Sequence, residues 1–204
     1  MKYLVGEKIN FDWKVITITI ASTLLLTVDH YYKIFAFKYL DRILLYFVIP
    51  LLITILLFRD DPREYGFSFG DWKLGLTYTF IGILLMTPII FYLGRGDASM
   101  KSYYENQLTG LPWSTFIDLF GWEFFFRGWI LFAYARKFGP EALWLHAVPF
   151  ALAHVGKPEV ETLSTIFGGF AFGWIAWRTR SFFYAFLIHW FIGTFVIVVA
   201  AGVI

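Results

Sequence analysis

The 204-residue sequence contains no cysteine. That excludes a disulfide framework, a thiol nucleophile and any zinc–thiolate centre. Charge is scarce as well, at 16% of residues, where soluble domains carry about 25%. The net charge of +2 is too small to draw nucleic acid. Ser114, Ser164 and Ser181 lie near the ends of apolar stretches with no histidine close in sequence, so no serine nucleophile stands out. There is no internal repeat and no low-complexity tract.

Apolar residues fill the space that charge leaves. They make up 59% of the chain, and the mean hydropathy is +0.65. Charge-free runs cover 15–28, 43–58, 74–94, 142–156, 162–177 and 181–204. A helix needs about 20 apolar residues to cross a hydrocarbon core of about 30 Å. The runs at 74–94 and 181–204 reach that length alone, and the others reach it with a snorkelling anchor at one end. A soluble enzyme is excluded. The pattern predicts an all-α, polytopic transmembrane helix bundle of about seven spans, with six to eight as the range. They fall near 13–28, 40–58, 73–94, 112–134, 140–156, 160–177 and 181–203, with Pro112 and Pro140 opening two of them. Residues 1–58 read as N-terminal transmembrane helices and 59–204 as the functional core, in one integral membrane bundle.

The first run lacks a small-residue cleavage site and reads as a retained span. If the spans alternate, Lys2, Lys8, Lys14, Arg59, Arg63, Lys73, Arg136, Lys137, Arg178 and Arg180 share one side. Lys33, Lys38, Arg42, Arg95, Lys101 and Lys157 take the other. This imbalance favours a cytoplasmic N-terminus. The 25 Phe, 12 Tyr and 9 Trp read as packing or lipid-facing surface, with Trp72, Tyr103, Tyr104 and Trp113 at headgroup level.

Ionisable residues deep in apolar spans are functional candidates, because each costs about 2.5–3.5 kcal/mol at a helix centre. Glu123 and Arg127 lie four apart in the fourth span and share a helical face, so they can pair. His146, Phe150 and His154 follow at spacings of four in the fifth, and His189 lies in the last. Asp118 is turned about 140° from Glu123 on the helix and reads as reaching the headgroups. His30, beside Asp29 at a span end, reads as an interface residue. A glutamate with two histidines suggests a water-activating site, the glutamate as general base and a histidine as donor to an oxyanion. The ligand types would also suit zinc, but no His-Glu-x-x-His spacing occurs, so no cofactor or metal is expected. A small transporter is the weaker alternative, because no paired half-repeats or matching broken helices are present.

Four stretches together resemble the intramembrane glutamic proteases related to the eukaryotic CAAX prenyl endopeptidase, the CPBP or Abi family with its bacteriocin-processing branch. Gly70 through Leu76 is similar to the segment that opens the conserved half of many members. Trp122-Glu123-Phe124-Phe125-Phe126-Arg127 matches a motif of paired glutamates followed by arginine, with Trp122 in place of the first glutamate. Phe150-Ala151-Leu152-Ala153-His154 matches the phenylalanine–histidine motif. His189 matches the last histidine, with Gly193 where an asparagine is expected. The resemblance implies an intramembrane endopeptidase acting at or near the membrane face of a bacterial or archaeal plasma membrane. Its implied catalytic residues are Glu123, Arg127, His154 and His189, with Trp122, Phe150 and Gly193 supporting them. The implied partners are the bilayer and a peptide or membrane-protein substrate, such as a lipidated, bacteriocin-like or sorting-signal peptide. The two departures leave a second reading open, a catalytically inactive membrane scaffold or immunity partner.

Overall fold

The computed structural model describes residues 11–204, so Lys2 and Lys8 of the charge argument lie outside the described residues. Every regular element among them is helical. Helix α1, Trp13–Tyr31, starts where the Asp12 carboxylate accepts the backbone N–H groups of Lys14 and Val15. Helix α2, Lys38–Phe58, has Pro50 at its centre and wider π-type turns on both sides, Leu44–Val48 and Ile53–Phe58. Pro50 has no N–H to give to the Tyr46 carbonyl, so the ordinary α ladder is interrupted there. Helix α3, Trp72–Gly96, is capped by Asp71, and the short helix α4, Ala98–Tyr104, by Asp97.

Helix α5 covers residues 113–138. It runs as an α-helix over Trp113–Glu123, widens to π-type turns over Phe124–Ile130 and closes again over Leu131–Phe138. Two short helices follow, α6 at Ala142–Leu145 and α7 at Ala147–Leu152. Helix α8 is Glu159–Thr179 and α9 is Phe183–Ala200.

Helices α2, α3 and α9 are long and apolar enough to cross a membrane. Leu76, Phe80, Leu84 and Leu85 of α3 point outward, as a lipid-facing stripe does. The protein is an all-helical integral membrane bundle. Helices α1, α5 and α8 have the length but are diluted by polar side chains, such as Glu123 and Arg127 in α5. The expected span at 140–156 differs from the sequence reading, because the structure breaks it at His146. Pro149 has no N–H for the Leu145 carbonyl, which interrupts the ladder where α6 passes into α7 through His146. The segment stops at Leu152, too short to cross by itself.

Helices α3 and α9 run side by side in the same direction, and glycines let them approach. A Cβ at Gly75 would lie 2.3 Å from the Tyr184 ring, and one at Gly82 or Gly94 would meet Ile188 or Val199 at 2.8 or 2.9 Å. Membrane helices use small residues in this way, since tight packing drives their association. At the centre, Phe124, Phe125, Phe126, Trp129 and Phe182 are fully buried. Their rings meet mostly edge to face, an arrangement worth about 0.5–1.5 kcal/mol per pair beyond area burial. The phenylalanine excess serves core and surface alike, with eight of the 25 buried and eight exposed.

One end of the bundle is tied by charge. Asp60 accepts from Lys14 Nζ at 2.6 Å and from the Tyr65 hydroxyl at 2.8 Å. Arg136 reaches Asp60 at 3.5 Å and Glu64 at 3.2 Å. The same end joins α3 to α8, where the Asp71 N–H donates to the Thr179 carbonyl. Gly70 makes that crossing, with φ at +48°, and a Cβ on it would fall 1.9 Å from the Thr179 oxygen. Lys14, Arg63, Arg136 and Arg180 thus share one end of the molecule.

Candidate active site

Glu123 and Arg127 are both fully buried in α5. Their spacing across one turn brings Arg127 Nη1 to 3.1 Å from Glu123 Oε1. Across the bundle, α9 runs antiparallel to α5 and delivers His189, whose Nδ1 is 2.6 Å from the same oxygen. Oε1 therefore carries both partners, while Oε2 is buried with none. Two guanidinium nitrogens of Arg127, Nε and Nη2, are also without an acceptor.

Aromatic rings complete the arginine's surroundings. Its guanidinium carbon is 3.7 Å from the Phe150 ring centre and 5.1 Å from that of Phe172. A desolvated cation over a ring gains about 2 kcal/mol, which offsets part of the cost of burying a charge. Phe172 also stacks on His189 at 5.4 Å. The His189 side chain is 12% exposed, whereas those of Glu123 and Arg127 are closed off. Access to the carboxylate therefore passes the imidazole.

His154 stands beside this group, separated from it by rings. Its Nδ1 donates to the Phe150 carbonyl at 2.8 Å, because a carbonyl only accepts. Nε2 is thereby left as the unprotonated nitrogen of the neutral ring. The imidazole packs on Phe150 at 4.5 Å and edge-on to Trp122 at 5.6 Å. No hydrogen bond joins it to Glu123 among the described residues. Phe150 is the common neighbour, touching Arg127, His154 and His189.

Trp122 is turned toward α2. Arg42 lies over its ring at 4.8 Å and Tyr46 meets it edge-on at 5.5 Å. Its indole N–H is buried without an acceptor. Gly193 serves a close helix crossing, since a Cβ there would come 2.9 Å from Leu119. His146 falls at the break between α6 and α7, with Nδ1 on the Ala142 carbonyl at 2.9 Å and its ring against Gly173.

Two participants were not singled out from sequence. Arg42 stands beside Asp41 at the edge of the 43–58 run, where a charge is ordinary, and so carried no signal. Phe172 carried no signal beyond its place in an aromatic segment. Asp118 corrects an expectation: it does not reach outward for headgroups but takes Arg42 Nη1 at 2.8 Å. The expected pairing of Glu123 with Arg127 is present.

Among the described residues, no three His, Asp or Glu side chains gather where they could hold a metal ion. No curated protein and no solved structure matches the chain. Residues 105–195, which carry Glu123, Arg127, His154 and His189, match the family described as type II CAAX prenyl endopeptidase Rce1-like.

Proposed function

From the match of residues 105–195 to the Rce1-like family of type II CAAX prenyl endopeptidases, we propose that the protein is an intramembrane endopeptidase that activates water with Glu123. The observation that supports this reading is the asymmetric carboxylate, with Oε1 held twice and Oε2 free. Arg127 supplies the countercharge to Glu123, and His189 fixes the carboxylate's orientation. Oε2 takes a proton from water as the water oxygen bonds to the scissile carbonyl carbon. With Nδ1 turned to Glu123, His189 has Nε2 on its far side, and a proton there would donate to the oxyanion that forms. The His154 Nε2 lone pair accepts the second water hydrogen and aims the attack. On collapse the C–N bond breaks, and Glu123 returns its proton to the leaving amine.

The substrate is a peptide or membrane-protein segment reaching the site at the membrane face. The lysine and arginine imbalance supports a cytoplasmic N-terminus, and we read the membrane as a bacterial or archaeal plasma membrane. The same carboxylate reading needs no metal, so chelation should leave cleavage intact. The second reading, an inactive scaffold, draws support from the complete burial of Glu123 and Arg127 and from Trp122 at a motif position.

The test compares membrane-protein termini by mass spectrometry in cells producing wild-type, Glu123→Gln or His154→Ala protein at equal levels. A terminus present with wild type and absent with both variants is the expected result. Identical termini in all three cells would favour the scaffold.

A further inference from the structure

The turn that carries His154 is fastened by a polar cluster outside the catalytic group. Tyr104, at the end of α4, donates its hydroxyl to Glu161 Oε2 at 2.6 Å. Lys157 donates to Glu161 Oε1 at 2.8 Å and approaches the Tyr104 oxygen at 3.4 Å. Thr162 closes the base of the turn by donating to the His154 carbonyl at 2.8 Å. Tyr104 is only 6% exposed, so it is not the headgroup residue its sequence position suggests. It also lies just outside the matched stretch of 105–195.

The turn's backbone is held locally, with the Val155 N–H on the Leu152 carbonyl and the Lys157 N–H on the His154 carbonyl, but its tip packs on little. Val155 is 71% exposed. Gly156 adopts φ of +98°, and a Cβ on it would meet nothing within 4 Å. His154, one and two residues away, is nevertheless 2% exposed. A loosely packed turn with a buried imidazole at its root depends on whatever pins it.

We propose that Tyr104, Glu161 and Lys157 form a clasp that holds the 153–158 turn closed on Trp122 and Phe150, making Tyr104 and Glu161 positioning residues for His154. The clasp draws on three elements, α4, the turn and α8, so its release frees the turn without disturbing Glu123 and Arg127. This rests on the endopeptidase reading for its catalytic meaning, but the closure itself is a property of the fold.

The experiment measures carbethoxylation of each histidine by diethyl pyrocarbonate, followed by peptide mass spectrometry, on the full chain in detergent. His30 is exposed and His146 is fully buried, which gives an open and a closed reference in the same molecule. In wild type, His154 should react far more slowly than His30. Tyr104→Phe and Glu161→Gln should each speed His154 by roughly tenfold, the effect of losing a hydrogen bond to a charged group. Tyr103→Phe, on the neighbouring ring, should change nothing.

Unchanged His154 rates in both clasp variants would overturn the proposal, as would a wild-type His154 as reactive as His30. Reaction at His146 in both variants would overturn it too, since the whole bundle would then be opening. If the clasp behaves as expected but Glu123→Gln alters no terminus in cells, the clasp stands and the endopeptidase reading falls.

Discussion

Arg127 is bound on one side by charge and on the other by rings, and both contacts depend on its shape. Removing it leaves the Glu123 carboxylate buried with His189 alone. Breaking a buried pair in this way costs about 3–5 kcal/mol. Arg127→Ala should therefore lower the thermal unfolding midpoint strongly. Arg127→Lys should recover only part of the loss, because a lysine ammonium restores charge but not the flat face over Phe150. Equal midpoints for Arg127→Lys and wild type would show that the rings contribute nothing. At this scale the sequence was informative where partners are local. Spacing alone paired Glu123 with Arg127. It could not pair Glu123 with His189, which is 66 positions away, nor Arg42 with Asp118, since those contacts exist only once α9 and α2 have packed on α5.

Elements were legible by hydropathy and less so by continuity. Runs such as 74–94 and 181–204 became single helices, the first of them continuing through Pro88. The run at 142–156 has the same composition, yet Pro149 splits it and places His146 at the break. That break has a partner in α8: Gly173 faces the His146 ring, and a Cβ there would lie 2.3 Å from Cε1. The imidazole is fully buried and cannot swing aside freely. Gly173→Ala should destabilise the protein by about 1–3 kcal/mol, the usual range for overpacking. Thermal unfolding checks this, with Gly168→Ala as a control, because a Cβ at Gly168 meets nothing within 4 Å.

Across the whole molecule, one carboxylate joins the ends of several elements. Asp60 ties α1 through Lys14, the following turn through Tyr65, and the far end of α5 through Arg136. Burial alone would raise its pKa, but the Lys14 and Tyr65 hydrogen bonds and the Lys14 and Arg136 charges outweigh it and hold the carboxyl below its ordinary 3.8. A depressed pKa in the folded state stabilises the protein above the unfolded pKa, and that contribution is lost as pH falls through the folded value. The unfolding midpoint of wild type should therefore drop as pH falls from about 4 through the folded value. Asp60→Asn should start lower and follow a flatter curve over that window. Parallel curves would mean that Asp60 is not a tie. Arg42 and Tyr46 of α2 pack directly on Trp122, joining the two sides of residue 58. Sequence shows where charge is dilute; it does not show which helices share a core.

The broken segment between α5 and α8 has a consequence for the surrounding lipid. Its 14 residues from Gly139 to Leu152 reach only about 20 Å, at 1.5 Å per residue. Lipids beside that flank meet an apolar height well short of their own, and a bilayer relieves such a mismatch by thinning. Thinning draws the headgroup layer, and the water it holds, down toward the turn beyond Leu152. Membrane thickness then becomes a control on hydration at this one flank, set by the host's lipids rather than by the chain.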